Sequence, residues 1–79
     1  MTRREIEAAI DAERDRQDAK FPGQWSDPKI TEGFKLAVLG EEFGEVAKAI
    51  LENGRGSDEL RDELIQVAAV CVAWLESIS

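Results

Sequence analysis

The stretch Glu41-Glu42-Phe43-Gly44-Glu45 places three carboxylates within five residues, and Glu63-Leu64-Ile65-Gln66 follows with an acid and an amide three apart. On a helix, residues three or four apart are neighbours. Glu42 and Glu45 then project side by side, about 60° apart around the axis and about 4.5 Å apart along it. Glu41 leans away, though it also lies one turn from Glu45. Like charges at this spacing destabilise a lone helix by roughly a few tenths of a kcal/mol per pair. Lys48, one turn past Glu45, screens one side only. Several carboxylates brought to one place repel, and their pKa values rise. A divalent cation removes that problem, and oxygen-only donors select hard ions such as Mg²⁺. An ion held there can bridge to a di- or triphosphate and activate a water as nucleophile. The competing reading is a solvated acidic face with salt bridges.

The elements that must position these groups are helices. Residues 3–19 are charged and helix-prone, with Thr2 and Glu5 spaced as a capping box. Ile6, Ala9 and Ile10 form a narrow apolar stripe, and the alternating Glu13-Arg14-Asp15-Arg16 reads as a solvated face. Residues 21–30 form the only real loop, because Pro22, Gly23 and Pro28 break a helix there. Trp25 and Phe21 in that loop either cap one end of a bundle or line a pocket for a flat base. Residues 31–53 read as a second helix, capped by Thr31 and stopped at Asn53-Gly54. Gly33, Gly40 and Gly44 fall on one side of it, which predicts close approach of another helix or a ligand.

Residues 57–78 read as a third helix behind the N-cap Ser57, with Asp58, Glu59 and Asp62 favoured by the helix dipole in its first turns. The short turn at Gly54-Arg55-Gly56 predicts an antiparallel pair. Glu42 and Glu45 lie about nine to twelve residues before it, and Glu63 and Gln66 about seven to ten after it. At about 1.5 Å per residue those heights match, so three carboxylates and an amide face one another across the hairpin. From Leu64 to Leu75 nearly every residue is apolar, and a helix apolar all round is buried all round. Three helices from a short chain cannot surround it, so a second copy is expected to. The expected fold is all-α: a three-helix chain with a long antiparallel helical hairpin, assembling into an oligomeric helical bundle.

The chain has 79 residues and a net charge of −7 from 17 acids and 10 bases. A length near 80 sets one domain over 1–79, with a thin core when alone. The acidic balance argues against a nonspecific nucleic-acid binder but not against nucleotides, which acids bind through a bridging metal. The lone Cys71 in an apolar run suits core packing in a reducing compartment. Met1-Thr2-Arg3-Arg4-Glu5 leads directly into charged sequence, so no signal peptide is expected. The longest apolar stretch, Val67 to Leu75, is about half a membrane span. The expectation is a cytoplasmic protein with no membrane partner.

These residues resemble the MazG-like, all-α nucleoside triphosphate pyrophosphohydrolases, of the short phage and bacterial type. That family carries Glu-Glu-x-x-Glu on one helix and Glu-x-x-Asp on the next. Here stand Glu41-Glu42-Phe43-Gly44-Glu45 and Glu63-Leu64-Ile65-Gln66. Leu39-Gly40 before the first half, Val46-Ala47-Lys48-Ala49-Ile50 after it and Val67-Ala68-Ala69-Val70 after the second also look similar, as does Glu13-Arg14-Asp15-Arg16-Gln17-Asp18 ahead of Phe21. The resemblance covers most of the chain. It implies Mg²⁺-dependent cleavage between the α- and β-phosphates of a nucleoside triphosphate, with Mn²⁺ as the alternative ion. Glu42, Glu45 and Glu63 would be metal ligands. Glu41 would be a ligand, an orienter or the base that activates water, with Glu42 the other candidate for a catalytic role. Lys48 would meet phosphate and Trp25 the substrate. Gln66 stands where the family has an acid. Its amide oxygen can ligate Mg²⁺ but brings no charge, which weakens metal binding. Two other readings stay open: a nucleotide-binding protein without catalysis on the same fold, and a helical interaction module. In each case a dimer or tetramer is expected.

Overall fold

Thr2, Thr31 and Ser57 each begin a helix, and each does so through its side chain. The Thr2 hydroxyl accepts from the Glu5 backbone N–H at 3.2 Å while the Glu5 carboxylate accepts from the Thr2 N–H at 2.9 Å. Thr31 and Ser57 accept from the backbone of Phe34 and Leu60, both at 3.1 Å. Such caps are each worth about 1 kcal/mol. In the computed structural model, which describes all 79 residues, they open α1 (Arg3–Lys20), α2 (Glu32–Asn53) and α3 (Asp58–Ile78). A single 3₁₀ turn at Gln24–Ser26 interrupts the loop between α1 and α2. The chain is all-helical with no strand, and no helix is long and apolar enough to cross a membrane.

Helix α2 stops at Gly54, whose φ of 79° suits glycine, and Gly56 also has a positive φ, of 78°. Between them the chain reverses within a few residues. As a result the first turn of α2 meets the last turns of α3. The Lys35 ammonium donates to Glu32 Oε1 at 3.0 Å and to Ser77 Oγ at 2.9 Å. The Trp74 indole N–H donates to the other Glu32 oxygen. Lys35 is buried despite its charge, at 4% exposure, because its head group has these partners and its stem lies along apolar surface.

Helix α3 is the element on which the others rest. Both α1 and α2 pack against it, as does the 3₁₀ turn. Its buried residues are Ala69, Val70 and Ala73, small side chains that let neighbours approach. Helix α1 has no buried residue. It is fastened by Arg14, whose guanidinium donates to Glu76 at 3.1 Å and to Asp18 at 2.8 Å. Burial pulls the Arg14 pKa down, but those two carboxylates raise it further, so the group stays charged.

Within one chain α3 is not surrounded, as a chain this short predicts: Leu64 and Leu75 are more than half exposed, because two neighbours cover only part of its circumference. One expectation needs correcting for this chain alone: the glycines of α2 do not mark close packing. A methyl group at Gly40 or Gly44 would meet nothing within 4 Å, and one at Gly33 would meet only the Thr31 hydroxyl at 3.8 Å. They lie on the outward face of α2 beside Leu36, Phe43, Ile50 and Leu51, of which Leu51 is 86% exposed.

The Lys35 clasp generates a stability test. Lys35→Ala removes two hydrogen bonds and a buried stem and is expected to cost about 2 kcal/mol in urea denaturation. Lys48→Ala, on the same helix but exposed, is expected to stay within about 0.5 kcal/mol. Equal effects would show that the clasp contributes nothing.

Candidate functional site

Lys35, Glu42 and Ala49 lie seven residues apart on α2 and share one face, on which the outer two are buried. Glu42 is therefore drawn to the side that packs on α3. On α3, Glu63 stands seven residues before the buried Val70 and shares its face. Both carboxyls are half-buried. Glu42 Oε2 and Glu63 Oε2 are each shut off from solvent and have no hydrogen-bond partner. Buried polar atoms are nearly always satisfied, so two orphaned carboxylate oxygens from facing helices are unusual.

Their electrostatics agree with that placement. Burial raises the Glu42 pKa above its ordinary value, and the charges of Glu63, Glu41, Glu45 and Glu13 raise it further. Burial likewise raises Glu63, followed by the charges of Glu45, Asp62 and Glu13. Glu42, Glu45 and Glu63 thus form one electrostatic neighbourhood, with Glu41 at its edge. Glu41 and Glu45 are themselves exposed. As the side chains stand, no three acids converge closely enough to hold a metal ion. Two carboxylate oxygens without partners are donors of the kind a hard cation takes.

Beside this cluster, a cavity of about 230 Å³ opens between the end of α1, the loop, α2 and α3. Its walls are aromatic at Phe21, Trp25 and Phe34 and aliphatic at Ile30, Val38 and Val70. Three amides, Gln17, Gln24 and Gln66, line it, together with Glu42 and the cations Arg16 and Lys20. Of the residues singled out from sequence, Trp25, Glu42 and Gln66 meet here. Lys48 lines neither this cavity nor the more open groove between α1 and α3.

Sequence reasoning missed the contribution of α1. Glu13 takes a two-pronged bond from Arg16, at 2.8 and 2.6 Å, and one from Gln17 at 3.2 Å. The Arg16 bond is the largest cause holding the Glu13 pKa low. Arg16 also feels the charge of Glu42. The signal was present: Glu13, Arg16, Gln17 and Lys20 recur at three- and four-residue spacing and share a face. Alternating charge disguised it as a solvated surface. Lys20 extends its ammonium over the Phe21 ring, 5.4 Å from the centroid, at the cavity edge.

Compared with known proteins, the chain matches no family model, no curated protein and no solved structure.

The acid cluster sets a pH dependence for the metal-free chain. Glu42 and Glu63 have folded-state pKa values above 4.5, so their contribution favours the protonated folded state and is lost as pH rises through those values. Glu5, Glu13 and Glu32 are lowered, so their contribution is present above 4.5 and is lost as pH falls through their folded values. Thermal melts are expected to peak on the weakly acidic side of neutrality. Glu42→Gln and Glu63→Gln should raise the melting temperature at neutral pH and flatten the decline above the peak. An unaltered decline in the double variant would contradict the assignment.

Proposed function

We propose that the chain is a Mg²⁺-dependent nucleotide pyrophosphohydrolase of the MazG-like type, converting a nucleoside triphosphate and water to a monophosphate and pyrophosphate. The observation that carries this reading is the pair of orphaned oxygens on Glu42 and Glu63, placed beside a cavity that holds aromatic rings, amides and two cations. Glu42 and Glu63, with Glu45, would hold Mg²⁺ or Mn²⁺, and Gln66 is the remaining residue of the motif. When bound, the ion supplies charge neutralisation to the phosphates and lowers the pKa of water. Glu42 or Glu41 would accept the proton from that water. Glu42, whose pKa is raised by burial and by the charges of Glu63, Glu41, Glu45 and Glu13, is suited to the task. The bond between the α- and β-phosphates breaks, and pyrophosphate leaves. Arg16 and Lys20, the cations that line the cavity, would meet the phosphate oxygens, a role the sequence had suggested for Lys48.

Self-association completes this reading. An 8.8 kDa chain folded as a compact monomer exposes about 4,800 Å². This chain exposes 5697 Å², an excess of about 900 Å², close to what one partner contributes to a standard interface. The outward face of α2 carries much of that apolar surface. A second copy seated there would turn the antiparallel hairpin of α2 and α3 into half of a four-helix bundle, as a dimer or a dimer of dimers. The substrate partner is a nucleotide, and the acidic surface does not suit nucleic acid. Cys71, a free thiol, suits a reducing cytoplasmic setting.

A second reading has one observation in its favour. Because no three acids converge on a metal-sized space, the chain would bind a nucleotide without turning it over. It expects nucleotide binding that survives EDTA and no pyrophosphate.

Incubation with a panel of nucleoside triphosphates and Mg²⁺ is expected to release pyrophosphate, and Glu42→Gln and Glu63→Gln are expected to reduce the rate about a hundredfold or more. No release with any triphosphate, from protein whose melting temperature rises with Mg²⁺, would sink the catalytic reading. In sedimentation, the wild-type chain is expected to run as a dimer or larger and Phe43→Glu as a monomer. A wild-type monomer at high concentration would remove the assembly.

A further inference from the structure

The two residues of Glu63-Leu64-Ile65-Gln66 that the motif treats as a pair do different things. Glu63 turns its carboxyl toward the acids of α1 and α2, where its charge state responds to Glu45, Asp62 and Glu13. It does not line the aromatic cavity. Gln66, one turn later, does. It lies one turn before Val70, which forms part of the same wall, and so borders the space lined by Trp25, Phe21 and Phe34, while also bordering the more open groove between α1 and α3. This difference in lining separates a charged subsite from a flat apolar one, with Glu42 at their junction.

The amides around that space are not equivalent. Gln17 is committed: its oxygen accepts from Arg14 at 3.4 Å and its nitrogen donates to Glu13 at 3.2 Å. The side-chain amide of Gln66 makes no hydrogen bond to any group of the chain although the residue is half-buried, whereas Gln24, whose side chain is also unbonded, is exposed on the 3₁₀ turn. A free primary amide offers a donor and an acceptor about 2 Å apart, a pattern that pairs in two-pronged fashion with the edge of a nucleobase. The cavity volume also limits what can enter. At about 230 Å³ it is below the roughly 300–1,000 Å³ of a site that encloses a whole drug-sized ligand. It admits one flat ring system, so the sugar and phosphates must lie outside it.

We propose that Gln66 is a specificity residue that reads the edge of a nucleobase held between the cavity's aromatic walls, and that it is not a metal ligand. This rests on the reading of the chain as a nucleotide-binding protein and assigns its base subsite. In that site the replacement of an acid by an amide is a gain of base recognition instead of a lost ligand. The base is bound by stacking and by the amide, and neither interaction needs an ion. Base and metal therefore bind through separable sets of side chains.

The test uses the four uncharged ribonucleosides, which carry a base but no phosphate, in EDTA. Binding is followed by titration calorimetry and by the indole N–H resonance of Trp25, with Trp74, which does not line the cavity, for comparison. At least one nucleoside is expected to bind the wild-type chain and shift Trp25 more than Trp74. Gln66→Ala is expected to weaken that binding tenfold or more and to leave the Mg²⁺-induced rise in melting temperature unchanged. Gln66→Glu keeps the size of the side chain and should alter which nucleoside binds best. The proposal is overturned if no nucleoside binds, if Gln66→Ala binds as wild type does, or if Gln66→Ala abolishes the Mg²⁺ effect. Pyrophosphate release without nucleoside binding would remove this assignment and leave the enzymatic reading standing. Gln66-dependent nucleoside binding without pyrophosphate release would do the reverse.

Discussion

The fold depends on α3, on which both α1 and α2 pack while neither packs closely on the other. Its buried residues are Ala69, Val70 and Ala73, small side chains that allow neighbouring helices to come near. One oxygen of Glu42 and one of Glu63 are shut off from water there and left without partners. Bulkier side chains would hold the helices apart and let solvent reach the acids. The strained electrostatics of the site and the thinness of the core have one cause.

Much of the fold could be read in the chain, because its signals are local. Thr2, Thr31 and Ser57 act through bonds to residues three positions on, and Gly54 ends a helix through its own backbone angle. Such features depend on neighbours in sequence and so are visible there. The outward face of α2 was harder. Gly40 and Gly44 suggested close contact, yet they meet nothing, since a glycine shows that approach is allowed and not that it occurs. The apolar run of α3 similarly marks surface that needs covering without saying how much of it one chain covers.

The site divides along the same line. Glu42 and Glu63 could be placed together from helical spacing and the position of a turn. The cavity could not, because its walls come from four separate segments. Trp25 was visible as an aromatic residue in a polar loop. Arg16 and Lys20 were not, since alternating charge on α1 carries no mark to distinguish a wall from a solvated face. Only the tertiary fold decides which turn of α1 lies over the loop. The orphaned oxygens belong to that level too: spacing shows where acids are neighbours, and the packed structure shows which of their atoms lack a partner.

Helix α1 contributes Arg16, Gln17 and Lys20 to the cavity, yet it buries no residue completely. It is fixed by partial contacts with α3 and by the clasp from Arg14 to Glu76. Free energy is therefore unevenly distributed over the molecule, with the least of it holding the wall that closes the site. Local opening draws on the elements with few buried contacts, so α1 is the helix that should part first from α3, ahead of α2. Because its clasp from Arg14 to Glu76 is ionic, dissolved salt should loosen that end of the molecule before the rest.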